Sequence, residues 1–199
     1  MKAFWDERYA ATDYAYGEQP NVWFAEQLAR LAPGRLLLPC EGEGRNAVHA
    51  ARLGWEVEAF DQSEAGRNKA MELAARYGQS ISYALADALT YENTQPFDAA
   101  ALVFAHLPEP LRAAFHRRMA NLLKPGGMLL FEGFHTTQLG RSSGGPRELS
   151  MLFTPDMLRT DFPDFHIQQL EVATVHLNEG PFHQGEAVVV RLLAQKKGA

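Results

Sequence analysis

Arg35-Leu36-Leu37-Leu38-Pro39-Cys40-Glu41-Gly42-Glu43-Gly44-Arg45-Asn46-Ala47 reads as an apolar strand, a loop with two glycines and the opening of a helix. A leucine run without alternation suits a strand buried on both faces, as in a parallel sheet. Gly42 and Gly44 permit positive φ and carry no Cβ to obstruct a ligand approaching the backbone. The helix expected from Asn46 to Leu53 offers unpaired N–H groups and a partial positive charge, so a carboxylate or phosphate suits this spot. Glycines spaced this way also occur in tight strand–helix turns that bind nothing, so the pair takes its meaning from what surrounds it.

Working outward, Trp55 to Phe60 is a second strand stopping at Asp61, which lies nineteen residues after Gly42. That is close to the ~20 expected of an acid that receives ribose hydroxyls. Ser63 caps a helix running to about Tyr77, with Gly78 as its stop signal. Ile81 to Leu85 forms a third strand ending before Asp87, which either meets an adenine amino group or caps the next turn. Phe97 to Phe104 is a fourth strand. Pro108 begins a helix reaching about Leu123, Lys124-Pro125-Gly126-Gly127 makes a tight turn, and Met128 to Phe134 is a fifth strand. Upstream, Asn21 caps a helix that includes Val22, Trp23, Leu28 and Leu31, closed by Pro33-Gly34.

After the fifth strand the alternation changes. Residues 136–150 form a polar, glycine-rich loop, Thr154-Pro155-Asp156 opens a short helix, and Ile167–Leu177 and Ala187–Ala194 alternate like an antiparallel hairpin. The expected fold is therefore α/β: a Rossmann-like, mostly parallel seven-stranded sheet, helices on both faces, a C-terminal antiparallel hairpin, and one domain over residues 1–199. A net charge of -5 argues against nucleic-acid binding. One cysteine, Cys40, excludes an intramolecular disulfide and a multi-cysteine metal site, and no metal is expected. Without a long apolar run or a secretory leader, the expectation is a cytoplasmic protein, monomer or homodimer, with no membrane partner.

At these residues the chain resembles the class I S-adenosylmethionine-dependent methyltransferases, and within them the tellurite-resistance type. The resemblance runs through Trp5-Asp6-Glu7-Arg8-Tyr9, Tyr16-Gly17-Glu18-Gln19-Pro20-Asn21, Glu43-Gly44-Arg45-Asn46-Ala47, Phe60-Asp61-Gln62-Ser63, Ala86-Asp87, His106-Leu107-Pro108 and Leu123-Lys124-Pro125-Gly126-Gly127. It implies S-adenosylmethionine as cofactor, with S-adenosylhomocysteine as product. The loop Cys40, Glu41, Gly42, Gly44, Arg45 and Asn46 would face its methionine moiety. Asp61, flanked by Gln62 and Ser63, would hold the ribose, and Asp87 with Ala88 would meet the adenine. Phe104, Ala105 and His106 would face the sulfonium and the acceptor, and residues 1–20, with Trp5 and Tyr16, would close as a lid. The resemblance also implies a small-molecule acceptor: an oxyanion, a chalcogen compound or a thiol. The loop departs from the usual acidic-apolar-Gly-Cys-Gly-x-Gly. Leu38 stands at the acid, Cys40 at the first glycine, and Glu41 is a candidate substitute carboxylate toward the cofactor amino group.

His106 is the candidate general base, since it follows the fourth strand and titrates near neutrality; the alternative is a helix cap. Glu132 and His135 at the end of the fifth strand, and Arg141 in the mobile-looking loop, are candidate acceptor contacts or ordinary surface residues. His176 and His183 read as structural or surface residues, and Cys40 as a small buried thiol. Two other functions compete. Gly42-x-Gly44-x-x-Ala47 with Asp61 also fits an NAD(P)-dependent oxidoreductase, and the altered loop fits a non-catalytic cofactor-binding module.

Overall fold

In the computed structural model, which describes residues 2–11 and 13–198, the leucine run becomes β1 (Arg35–Pro39) at the centre of one sheet. Met1, Thr12 and Ala199, within the spans 1–20 and 1–199 named above, lie outside the described residues. Around β1 lie β2 (Glu56–Asp61), β3 (Ser82–Leu85), β4 (Phe97–Val103), β5 (Leu123–Phe134), β6 (Phe165–Asn178) and β7 (Gln184–Lys196). The sheet order is β3-β2-β1-β4-β5-β7-β6. β1 to β5 are parallel, and β7 runs antiparallel between β5 and the edge strand β6. The expected α/β architecture is the one observed.

Alternation of side chains decides the layers. Leu37, Ala100, Leu102, Leu129 and Phe131 face one side, packing with Phe115 and Met119 of α5 (Glu109–Asn121) and Leu158 of α6 (Pro155–Asp161). Leu36, Leu38, Ala99, Ala101 and Leu130 face the other, against α2 (Val22–Leu28), α3 (Arg45–Arg52) and α4 (Glu64–Arg76). The caps form as their residue types dictate: Asn21 Oδ1 accepts from Phe24 N–H at 2.8 Å, and Ser63 Oγ from Gly66 N–H at 3.1 Å.

Three features differ from the sequence reading. The start of the chain is helical, α1 (Lys2–Tyr9), with Tyr9 as its one buried residue. So weakly amphipathic a helix is held by tertiary contacts rather than by its own propensity. Lys124 to Gly127 is an irregularity inside β5, because the register with β4 jumps from Phe97↔Leu123 to Ala99↔Met128. The 136–150 loop is pinned rather than mobile. Gln138 donates to Ser143 Oγ (2.9 Å) and accepts from Val188 N–H (2.9 Å), and Ser143 Oγ donates to the Glu186 carbonyl (2.6 Å). No helix among the described residues is long and apolar enough to cross a membrane.

Candidate active site

The carboxyl ends of β1, β2 and β3 bring Cys40–Gly44, Asp61 and Asp87 to one rim of the sheet, where open α/β folds bind ligands. Gly42 and Gly44 have φ of +62° and +84°. They serve different ends. A Cβ on Gly44 would sit 2.5 Å from Ala70 Cβ, so this glycine lets α3 pack on α4. A Cβ on Gly42 would sit 2.6 Å from the Tyr9 hydroxyl, in the space over the loop. Asp61 is 7% exposed; its Oδ2 accepts from Gly42 N–H at 3.2 Å and its Oδ1 from Ser63 N–H at 2.9 Å. Burial lifts its carboxyl above the usual range. A carboxylate offers about four lone-pair sites, so two remain for hydroxyl donors. Tyr83 donates to the Gly42 carbonyl at 2.6 Å and fixes the loop from below. Asp87 is exposed, with Oδ1 accepting from Leu89 N–H at 2.8 Å. Gln62 and Ala88 lie beside these acids, half-buried, while Ser63 also donates to Asp6 of α1 at 2.7 Å.

Cys40 stands where the related loops carry glycine, and its φ is +55°. A non-glycine residue there stores about 1–2 kcal/mol. Burial pushes its thiol well above the ordinary thiol range, so it is not a reactive thiolate. Cys40→Gly should raise stability by up to ~1 kcal/mol, the strain relief being offset in part by glycine's unfolded-state entropy. Chemical denaturation measures this, and a loss above ~1 kcal/mol would mean that the thiol's packing outweighs its backbone strain.

The remaining candidates divide. Arg45 and Asn46 turn away from the rim to tie distant segments together. Arg45 donates to Glu179 at 2.7 Å and to the Tyr16 carbonyl at 3.2 Å, and Asn46 Oδ1 accepts from Asn21 N–H at 2.9 Å. Glu132 is 1% exposed, accepting from Asn21 Nδ2 at 2.6 Å and Arg191 Nε at 2.6 Å. His135 is bound locally to Thr137, and Arg141 is paired with Glu186 at 2.8 Å. At the α3 N-terminus one N–H group is already taken, that of Ala47, which donates to Glu41 Oε1 at 2.8 Å.

His106 is bound at both ring nitrogens. Nδ1 lies 2.6 Å from the Met151 carbonyl, so it donates, and Nε2 accepts from Phe134 N–H at 3.3 Å. Burial depresses its pKa to about 4. A neutral imidazole with neither nitrogen free positions Phe134 and the 149–151 turn; it is not placed to take a proton in this geometry.

Beyond β4 an aromatic cluster forms instead. Phe104 sits at φ +52°, strained, and its ring lies 4.7 Å from Phe134 and 4.6 Å from His183. Tyr16 is 4.5 Å from His183 and 6.5 Å from Trp5, which stacks on Tyr9 at 5.5 Å. Ala105 is buried behind Phe104. His183 Nδ1 lies 3.4 Å from Glu179 Oε2, and burial lowers its pKa. Burial opposes ionisation of Glu179, yet His183 and Arg45 outweigh it and hold that carboxyl at about 2. Glu179 was not singled out from sequence, and His183 was read as a structural or surface residue. The available signal was an acid and a histidine four apart in Glu179-Gly180-Pro181-Phe182-His183, a turn that antiparallel pairing returns to the ligand rim.

Comparison with known proteins fits this geometry. Residues 38–127 match a family described as a methyltransferase domain. Over 100 residues the chain is 37% identical to the ubiquinone biosynthesis O-methyltransferase of Caulobacter vibrioides, covering 48% of this chain and 39% of that protein. The chain thus spans well under half the length of that relative. The TehB structure from Haemophilus influenzae superposes with a TM-score of 0.74 at 18% identity, covering 98% of this chain and 67% of TehB. Magnesium protoporphyrin IX methyltransferase from Synechocystis PCC 6803, with bound S-adenosylhomocysteine, gives 0.69 at 16% identity over 88% of this chain and 82% of its own. Residues 38–127 thus match a methyltransferase domain, and the chain as a whole has the fold that these solved methyltransferases share.

Proposed function

We propose that this chain transfers a methyl group from S-adenosylmethionine to a small, soft acceptor, a thiol or related chalcogen compound in preference to an oxyanion. The observation that carries this is the aromatic cluster of Tyr16, Phe104, Phe134 and His183, joined to the glycine loop through Tyr9, which packs on Tyr16 and lies over Gly42. The rim fits the cofactor: glycine backbone for its amino-acid end, Asp61 for ribose hydroxyls with Gln62 and Ser63 beside it, and Asp87 with Ala88 for the adenine. Trp5 and Tyr16 close the lid side, with Phe104, Ala105 and His106 toward the acceptor. When bound, the cofactor supplies an electrophilic methyl on a sulfonium. The chain's part is to orient the acceptor for in-line displacement and exclude water.

Aromatic walls favour a polarisable sulfur or selenium over a hydrated anion. Of the nearby cations, Arg45 is paired with Glu179, Arg191 with Glu132 and Arg141 with Glu186, while Arg8 donates to the Tyr16 hydroxyl at 3.1 Å and lies over the Phe182 ring. With His106 engaged at both nitrogens, His183, oriented by Glu179, is placed to receive the acceptor's proton. An oxidoreductase reading fits less well, because β7 is antiparallel and, among the described residues, β5 is followed by the β6–β7 hairpin rather than by a second mononucleotide half.

The test is turnover of S-adenosylmethionine with a small aliphatic thiol, a phenol and an oxyanion, product methylation read by mass spectrometry. The expected ranking puts the thiol first. Methylation of the oxyanion alone would overturn the acceptor class, and cofactor binding with no turnover on any of them would support a non-catalytic module.

A further inference from the structure

Arg8 brings a positive charge to the aromatic cluster that the chain leaves unmatched. Its guanidinium carbon lies 3.9 Å from the centroid of the Phe182 ring and 4.9 Å from that of Phe4, so the two rings set its orientation. Both rings are exposed, which places this end of the cluster at the surface. Arg8 Nη1 donates to the Tyr16 hydroxyl oxygen at 3.1 Å. Among the described residues no carboxylate, that of neighbouring Glu7 included, lies within ion-pair distance of Arg8. The acids of this region belong to other cations: Asp6 to Lys2, Glu43 to Lys69 and Glu179 to Arg45.

A guanidinium offers five N–H donors in a planar fork, and one is used here. The Tyr16 hydroxyl accepts from Arg8, while its own hydrogen has no acceptor among the described residues. Burial lifts the pKa of that hydroxyl, so it keeps its proton. Its ring lies 4.5 Å from His183, within the cluster. Resting on the thiol reading above, we propose that Arg8 and the Tyr16 hydroxyl recognise a carboxylate on the acceptor, which makes the acceptor a thiol-bearing carboxylic acid. Its sulfur lies among the rings of Phe104 and His183, and its carboxylate at the surface end of the cluster. Each end suits its surroundings, the polarisable atom between rings and the charge on a fork that water still reaches. A carboxylate carries the single charge that one guanidinium matches, whereas a phosphate brings more. Arg8 also staples α1 to the β6–β7 turn through Phe182, but a staple acts on every acceptor alike.

The experiment is methyl transfer from S-adenosylmethionine to mercaptopropionate and to its neutral amide, and to hydroxybenzoate and its amide, by the wild type, Arg8→Gln and Arg8→Lys. The quantity read is the ratio of kcat/KM for acid over amide. Comparing that ratio between proteins cancels the intrinsic reactivity of each acceptor and any effect of a loosened α1. The wild-type ratio should exceed that of Arg8→Gln by roughly five- to tenfold, the effect of one charged contact on a half-exposed fork. It should shrink as salt rises, and the ratio of Arg8→Gln should not. Arg8→Lys, which keeps the charge without the fork, should fall between them. Equal ratios in the wild type and Arg8→Gln would overturn the role of Arg8 and leave the thiol reading intact. Methylation of the phenols and not of the thiols would overturn the thiol reading and the thiol acid with it. Turnover of none of the four acceptors would overturn both.

Discussion

Glu179→Ala is expected to destabilise the fold by ~3–5 kcal/mol, the usual result of removing one partner of a buried ion pair. Glu179 is 7% exposed and accepts from Arg45 (2.7 Å), Asn21 (3.0 Å) and His183 (3.4 Å). Removing its carboxylate leaves Arg45, itself 7% exposed, without a counter-ion and frees the β6–β7 turn from α3. At about 2–4 °C per kcal/mol for a domain of this size, the melting midpoint should fall by roughly 10 °C. The pH dependence carries a second signature. The folded carboxyl titrates at about 2, below its unfolded value, so its contribution is complete above about pH 4.5 and is lost as pH falls toward 2. The variant should lack that part of the acid destabilisation. Thermal melts followed by circular dichroism between pH 3 and pH 8 measure both, and a loss under ~1 kcal/mol at pH 7 would mean that the network is peripheral.

The second large effect is on cofactor binding. Asp61→Ala should weaken S-adenosylhomocysteine binding by about 100-fold, since two hydrogen bonds from hydroxyls to a carboxylate contribute ~1.5–3 kcal/mol each and do not add fully. Asp61→Asn separates the roles, because it keeps an acceptor for Gly42 N–H and gives up the charge. It should bind between the wild type and the alanine variant. If both variants bound like the wild type while stability fell, Asp61 would serve the loop alone and the ribose would be held elsewhere.

Much of this was legible in the chain because the signals are local. Leu36 to Leu38 with the glycines after them, the caps Asn21 and Ser63, and the stop at Gly78 each act within a few residues. Their elements appear where the residue types put them. Asp61 and Asp87 reach one rim because parallel topology brings the ends of successive strands together. His106 was misleading for the opposite reason. Its position after β4 is local information, but the Met151 carbonyl and Phe134 N–H that occupy its nitrogens come from 45 and 28 residues away. Arg45 and Asn46 look like ligand contacts beside Gly44, and their partners in space are Glu179 and Asn21.

By itself the sequence determined the class of sheet, its layers, the glycine loop and the acids that follow it. These depend on backbone stereochemistry, side-chain periodicity and strand order, all encoded over short spans. Only the tertiary structure decided what those residues are free to do. It engaged the nitrogens of His106, paired Arg45 and Arg141, brought Tyr9 over Gly42 and packed His183 against Phe104. The reason is that the availability of a polar side chain depends on which partner arrives first through space, and an antiparallel strand inserted between β5 and β6 places those partners far along the chain.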